Sequence, residues 1–445
     1  MSSPLRRCWF GLAFMACAIA FPHSGQTRSK YKTLSNTQVQ EMLDQIEKDI
    51  KLHYYDPQRF DLDSTFERAR KKIAAAPSQN EALLYVAGAV ASLNDSHTLF
   101  IPPEEPYDVD YGWVVQAVGD SNCYVTKVRP DSDAAAKGLK PGDQVLSENG
   151  LTLTRQNLPY IEYGYRVFPQ SGLHLTVRST DGTQKTLVAM AKILPGQKVL
   201  HRTDVMTLLQ QHAHDMEKDR SRYHKEGDVL FWKLPDFVVE PNTIGQSLDN
   251  TRSATSVVLD LRGNPGGKLA ALHTLLGGFF AKDVRFGDRK TRFGSQPQIA
   301  GTLAKKAFAG KLIVLVDSRS ASAAEIFARV VQLEKRGIVL GDRTAGAVTE
   351  AQFFPHAVSL DSTKSVSYAA EITEAALIMS DGGMLENVGV SPDERILPTP
   401  ADISEGRDPV LARAAELAGV KMTELEAGKM FPFEWAKEQI VVVRR

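Results

Sequence analysis

Apolar residues first recur at helical spacing, with Val39, Met42, Leu43, Ile46 and Ile50 falling on one face of a helix. Helical segments at roughly 65–75 and 81–93 follow, and the run ends at Asn94-Asp95-Ser96-His97-Thr98, before the turn residues Pro102 and Pro103. From Tyr111 to about Lys192 the pattern shortens to strands at 112–115, 124–128 and 173–177, separated by turn residues. Beyond Asp228 the rhythm changes again. Apolar strands at Val229–Trp232, Ser256–Leu261, Leu312–Val316 and 337–340 alternate with helical segments, which predicts an α/β core. Asp408-Pro409-Val410 opens a last helix to about Ala418. The expected organisation is a helical region over 36–104, a β-rich unit over 105–195, an α/β unit over 196–420 and a tail over 421–445 that the pattern does not place.

The leading segment is of another kind. Arg6 and Arg7 precede an apolar run from Trp9 to Phe21 that contains Ala18-Ile19-Ala20, a small-x-small cleavage signature. This reads as a secretory signal peptide over 1–20, too short to span a bilayer, so export to the periplasm or beyond is expected. Membrane contact would arise only through an uncleaved segment. Phe14-Met15-Ala16 before Cys17 does not supply the small residues of a lipoprotein box.

Composition narrows the field. A chain of 445 residues is too long for one ordinary core, and 43% hydrophobic with 24% charged residues describes a globular protein. Lys plus Arg and Asp plus Glu number 53 each, with no clustered basic excess, so nucleic acid is not an expected partner. Cys8 and Cys17 lie in the signal segment, and Cys123 alternates with Val125 as a buried core thiol would. His212 and His214 are two apart and would point to different helix faces, and no Cys/His cluster has ligand spacing, so neither a metal nor another cofactor is expected.

Two segments carry candidate chemistry. Val314-Leu315-Val316-Asp317-Ser318-Arg319-Ser320-Ala321-Ser322-Ala323-Ala324-Glu325 reads as a strand, a small-residue turn and a helix start. Ser322 and Glu325 fit a capping box, an ordinary structural role. The same geometry would also project the hydroxyl beside free backbone amides and the positive end of a helix dipole, where an oxyanion is stabilised. The other segment, Ser256 to Gly267, runs from a buried strand into Arg262-Gly263-Asn264-Pro265-Gly266-Gly267. Such a turn can be only a turn, yet its glycines let backbone amides approach a substrate closely.

The second segment resembles the Asp-Leu-Arg-x-Asn-Pro-Gly-Gly motif of the C-terminal processing (tail-specific) peptidases, and Ser320-Ala321-Ser322-Ala323-Ala324-Glu325 resembles their nucleophile motif. Within the β-rich unit, Pro130 to Leu146, with its Gly138-Leu139 and Pro141-Gly142-Asp143 turns, resembles the bacterial PDZ signature. The resemblance implies an α/β core of the crotonase/ClpP-like kind with an inserted PDZ-like domain and an N-terminal helical region. It makes Ser322 the nucleophile, Ser320 structural, and Gly266 or Gly267 together with Ala323 the oxyanion donors. It places Tyr111, Gly112, Trp113 and Val114 at the loop where such domains bind a peptide; a unit that only packs on the core and gates access is the plainer alternative.

One departure separates the chain from the processing peptidases. Where they carry a lysine base, Gly341-Asp342-Arg343-Thr344-Ala345-Gly346-Ala347 places Ala347. A serine hydroxyl is a weak nucleophile near neutral pH and needs a base. The tricorn branch of the superfamily supplies one from an adjacent Ser-His pair and a later glutamate, which Ser96-His97 and Glu386 resemble. The implied activity is serine endopeptidase action on unfolded or tail-exposed proteins, with a protein or peptide as partner. The alternatives are a non-catalytic binder of peptides or apolar ligands, and a hydrolase of another acyl bond.

Overall fold

The structure, a computed structural model, describes residues 34–104, 107–195 and 221–435. The expected signal peptide, His212, His214 and the end of the tail lie outside these residues. Among them, no helix is long and apolar enough to cross a membrane.

Helices at Asn36–His53, Leu62–Ala74 and Gln79–Ala91 form the N-terminal region, within a few residues of the expected boundaries. Ser35, Asp61 and Ser78 each accept a backbone hydrogen bond at a helix start. Val39, Met42, Ile46, Phe66, Ile73 and Val86 face inward, but these helices do not close a core alone. Phe100 and, from a strand much later in the chain, Tyr368 and Ile372 complete it. The loop 94–98 is therefore tied to that distant strand.

The α/β unit is built on a six-stranded sheet in the order Arg222–Glu226, Val229–Lys233, Ser256–Asp260, Lys311–Val316, Ile338–Gly341, Glu394–Arg395. The first pair is antiparallel and the remaining neighbours are parallel. Helices Pro241–Asp249, Leu269–Phe279 and Ala323–Leu333 cover one face. Pro409–Ala418 and Glu424–Met430 cover the other. A parallel sheet buried on both faces reads as near-continuous apolar runs, which is why these strands stand out in the sequence.

A second sheet was not anticipated. Leu99–Ile101, Ser365–Met379, Val284–Thr291 and Gly294–Ala300 pair in that order, with Thr349–Ser359 also on the long strand, and every pairing is antiparallel. The expectation of simple strand-helix alternation across 228–396 fails here. Ser365–Met379 is rich in Ala and Glu, which are poor strand formers, so tertiary pairing rather than local preference holds it extended.

The β-rich unit contains strands Trp113–Val118, Asn122–Val128, Gln144–Glu148, Gly172–Arg178 and Gln184–Met190 in one sheet, with helix Leu158–Val167 against it. Cys123 is buried in its core, and burial pushes the thiol up to about 12. The outer carbonyls of the edge strand Trp113–Val118 do not face open solvent. Ser318 Oγ donates to the Ala117 carbonyl, Arg319 to that of Val115, and Gln116 Nε2 to Asp317 Oδ2 at 2.8 Å. Beyond Ala418, Thr423 and Glu426 form a capping box for the helix Glu424–Met430. Phe433 and Trp435 then reach the β-rich unit, where the Arg129 guanidinium lies 4.6 Å from the Trp435 ring.

Phe327, fully buried between the sheet and Phe279, tests how far the α/β core carries the fold. Phe327→Ala should cost ~3–5 kcal/mol in urea unfolding. A loss below about 1 kcal/mol would mean this layer is not packed as described.

Candidate active site

The strand Lys311–Val316 ends in a loop that delivers Ser322 to the start of the helix Ala323–Leu333. Ser322 has φ 54° and ψ −119°, in the left-handed half of backbone space where a side chain is strained. Its surroundings impose that conformation. The Ser322 amide donates to the Ala347 carbonyl at 2.9 Å and to Glu325 Oε2 at 3.1 Å, and Ala321 N donates to the Asn264 carbonyl at 2.8 Å. Ser320 is fully buried and braces the same loop, accepting from Asp317 N and donating to the Leu261 carbonyl at 2.8 Å.

Glu325 is the buried anchor of the turn. It accepts from Thr344 Oγ1, Gly346 N at 2.8 Å and Ala347 N at 2.9 Å as well as from Ser322. Burial without a cation pushes its carboxyl up to about 7, against the pull of those donors. Ala347 thus holds the serine loop through hydrogen bonds of its backbone.

The glycine turn packs directly on Ser322. Asn264, fully buried, donates from Nδ2 to the Leu234 carbonyl at 3.0 Å and accepts on Oδ1 from Gly266 N at 2.8 Å. The Gly266 amide, one of the two alternatives expected as the turn's oxyanion donor, is thereby occupied. A Cβ at Gly266 would fall 2.5 Å from Ser322 Cβ, and one at Gly267 would fall 2.3 Å from the Phe237 carbonyl carbon. The Gly267 and Ala323 amides make no hydrogen bond to the described residues. The Ala323 amide also lies at the positive end of its helix.

Ser96, His97 and Glu386 meet although they come from opposite ends of the chain. Ser96 Oγ lies 2.7 Å from His97 Nδ1 and 2.9 Å from Glu386 Oε2. Ser96 N and Val348 N also donate to Glu386, at 2.9 and 2.7 Å. An ionised carboxylate can only accept, so the Ser96 proton points to Glu386 and Ser96 Oγ accepts from Nδ1–H, which leaves the imidazole lone pair on Nε2. Burial lowers the His97 pKa from its ordinary value, opposed by the nearby Asp95 charge. Burial likewise raises that of Glu386, opposed by the Ser96 and Val348 amides.

Asp95 was quoted in the sequence pattern but given no role. It is buried, accepting from His97 N and Thr98 N on Oδ1, from Thr373 Oγ1 at 2.6 Å, and from Tyr54 OH at 3.0 Å. An Asx-type turn of this kind is visible in Asp95-Ser96-His97-Thr98, whereas its long-range partners are not.

His97 and Ser322 line one cavity of about 310 Å³, whose wall includes Pro265, Gly267, Ala323 and Val348. No hydrogen bond joins His97 to Ser322 among the described residues. Tyr111, Gly112, Trp113 and Val114 do not line this cavity. Gly112 N already donates to Asp110 Oδ1 at 2.8 Å and its carbonyl accepts from Arg129 N at 2.7 Å. Among the described residues no group of His, Cys, Asp and Glu is arranged to hold a metal ion.

Residues 228–396, which include the Ser322 turn, match the sequence profile of Peptidase family S41. The chain is 25% identical over 281 residues to carboxy-terminal processing protease CtpB of Bacillus subtilis, covering 61% of this chain and 55% of that protein. It is 29% identical over 175 residues to tricorn protease homolog 2 of Streptomyces coelicolor, covering 37% of this chain and 13% of the other. The crystal structure of mature CPAF shares the fold with a TM-score of 0.61 at 14% identity, over 83% of this chain and 94% of that one. The chain spans 55% and 60% of the lengths of CtpB and of carboxyl-terminal-processing peptidase 1 of Arabidopsis thaliana.

Gly266→Ala probes the contact between the two loops. A Cβ there meets Ser322 and the residue needs φ +93°, so the variant should lose roughly 1–3 kcal/mol of stability and slow fluorophosphonate labelling about 100-fold. Labelling at the wild-type rate would show that the glycine turn does not position Ser322.

Proposed function

We propose that the chain is a serine endopeptidase in which Ser322 is the nucleophile and His97 the general base, with Ser96 and Glu386 orienting the imidazole. The observation that carries this reading is the Glu386–Ser96–His97 chain of hydrogen bonds ending on the wall of the cavity that Ser322 also lines. His97 Nε2 takes the hydroxyl proton as Ser322 Oγ attacks the peptide carbonyl, and returns it to the leaving amine as the C–N bond breaks. Water then repeats the sequence on the acyl-enzyme and releases the acid. The carbonyl oxygen, negative in the tetrahedral intermediate, is held by the Gly267 and Ala323 amides, the two left open at the turn. Glu386 stays ionised and stabilises the imidazolium through Ser96.

The likeness to carboxy-terminal processing proteases supports unfolded or tail-exposed proteins as substrates. The β-rich unit serves as the PDZ-like domain. Its edge strand is already engaged by Ser318 and Arg319, so a peptide adding to that edge through Tyr111-Gly112-Trp113-Val114 would displace contacts from the loop that leads to Ser322. The leading apolar segment supports export.

Ser322→Ala should abolish fluorophosphonate labelling and lower kcat/KM on an unfolded protein by about 10⁴-fold or more, and His97→Ala should do the same. Cleavage at wild-type rate by either variant refutes the assignment.

The pH dependence follows from burial. His97 must be neutral to act as base, and its lowered pKa keeps it neutral to more acidic pH than an ordinary histidine. The acid limb of kcat/KM should therefore lie below about 6.5, as a macroscopic value shared with Glu386. A limb clearly above 6.5 would contradict a buried, neutral base.

A further inference from the structure

We propose that Glu371 is a specificity-determining residue that seats a cationic group of the substrate, a Lys or Arg side chain, in the cavity beside Ser322. The inference rests on the serine peptidase reading and deepens it by naming the substrate class.

The charged and titratable groups lining the cavity are His97, Arg289, Glu350 and Glu371. Arg289 is committed, with Nε and Nη2 donating to the two Glu350 oxygens at 2.7 and 2.8 Å. This bidentate pair leaves no net charge to offer a substrate carboxylate. His97 is neutral and turned to Ser96. The Glu371 side chain makes no hydrogen bond or ion pair with the described residues, so it is the one uncommitted ionisable group on the cavity wall besides His97. It sits in the long strand opposite Leu99 and Phe353, two residues before Thr373, the partner of Asp95.

The rest of the wall suits the stem of such a side chain. Phe286, Ile326, Val348, Ala375, Ala376 and Leu377 present apolar surface. Lys and Arg bury their methylenes along such surface while the head seeks a partner. Burial, with the Asp95 charge adding to it, raises the Glu371 pKa, so the empty cavity resists the ionised form and an arriving cation relieves that cost. An acidic side chain would meet an unpaired carboxylate and is disfavoured.

The test uses the full chain and quenched peptides that differ only in carrying Lys, norleucine or Glu, scanned through the positions flanking the cut. Wild type should favour Lys over norleucine by roughly tenfold in kcat/KM at one position. Glu371→Gln should bring that ratio to within about twofold of unity, Glu371→Asp should keep much of it, and Glu371→Lys should turn the preference toward Glu. No preference at any position in wild type, or a ratio unchanged in Glu371→Gln, overturns the proposal. Binding of the Lys and norleucine peptides to Ser322→Ala, read by fluorescence anisotropy at low and high salt, gives a second answer. A Lys preference that weakens with salt supports Glu371, and equal binding of the two peptides refutes it. If no peptide is cleaved by wild type, the peptidase reading fails alone and the anisotropy ratio still decides the role of Glu371.

Discussion

Everything at the site depends on holding Ser322 in a backbone conformation that a free chain avoids. Its φ of 54° is maintained by a double claim on its amide, from the Ala347 carbonyl and the Glu325 carboxylate, and by a glycine turn packed so closely that no side chain fits at Gly266. Asn264 ties that turn to two neighbours at once, donating to the Leu234 carbonyl and accepting from Ala321 N on its own carbonyl, and its Oδ1 closes the turn by accepting from Gly266 N. Such strain, of order 1–3 kcal/mol, persists only where surrounding contacts over-determine it. What the strain leaves behind is a pair of amides, Gly267 and Ala323, with no partner in the described protein.

The His97 imidazole comes from elsewhere, and the second sheet brings it. The loop 94–98 follows the N-terminal helices, yet its position is set by Asp95 against Thr373 and by the strand Leu99–Ile101 pairing with Ser365–Met379. Glu386 follows that long strand and reaches both Ser96 and Val348. The N-terminal helices, the antiparallel sheet and the turn after it therefore act as one frame for the imidazole, while the parallel sheet frames the serine. Between the two lies the cavity that both residues line. The β-rich unit joins this frame at the serine loop, through Ser318 and Arg319.

Much of this was legible in the sequence, for identifiable reasons. Strands of a parallel sheet covered on both faces are continuous apolar runs, and Val229–Lys233, Ser256–Asp260 and Lys311–Val316 lie within a residue or so of where the pattern puts them. The antiparallel sheet was not legible because Ser365–Met379 carries alanines and glutamates where a strand signal needs β-branched residues. The helix Glu424–Met430 was overlooked although Thr423-Glu424-Leu425-Glu426 is a capping-box pattern. At the site, the capping-box pattern anticipated Glu325 against the Ser322 amide, but the role of Asp95 and the wider hold of Glu325 on Thr344, Gly346 and Ala347 were not legible. Both act through partners distant in sequence, and no local spacing reports such partners. The commitment of the Gly266 amide to Asn264 is likewise a matter of geometry.

The most direct measurement is a crystal structure of the full chain after reaction with a peptidyl phosphonate. The account predicts phosphorus bonded to Ser322 Oγ, the phosphoryl oxygen about 2.7–3.1 Å from the Gly267 and Ala323 amides, and His97 Nε2 within about 2.6–3.2 Å of an adduct oxygen. An adduct on another residue, or a phosphoryl oxygen turned away from both amides, would contradict it.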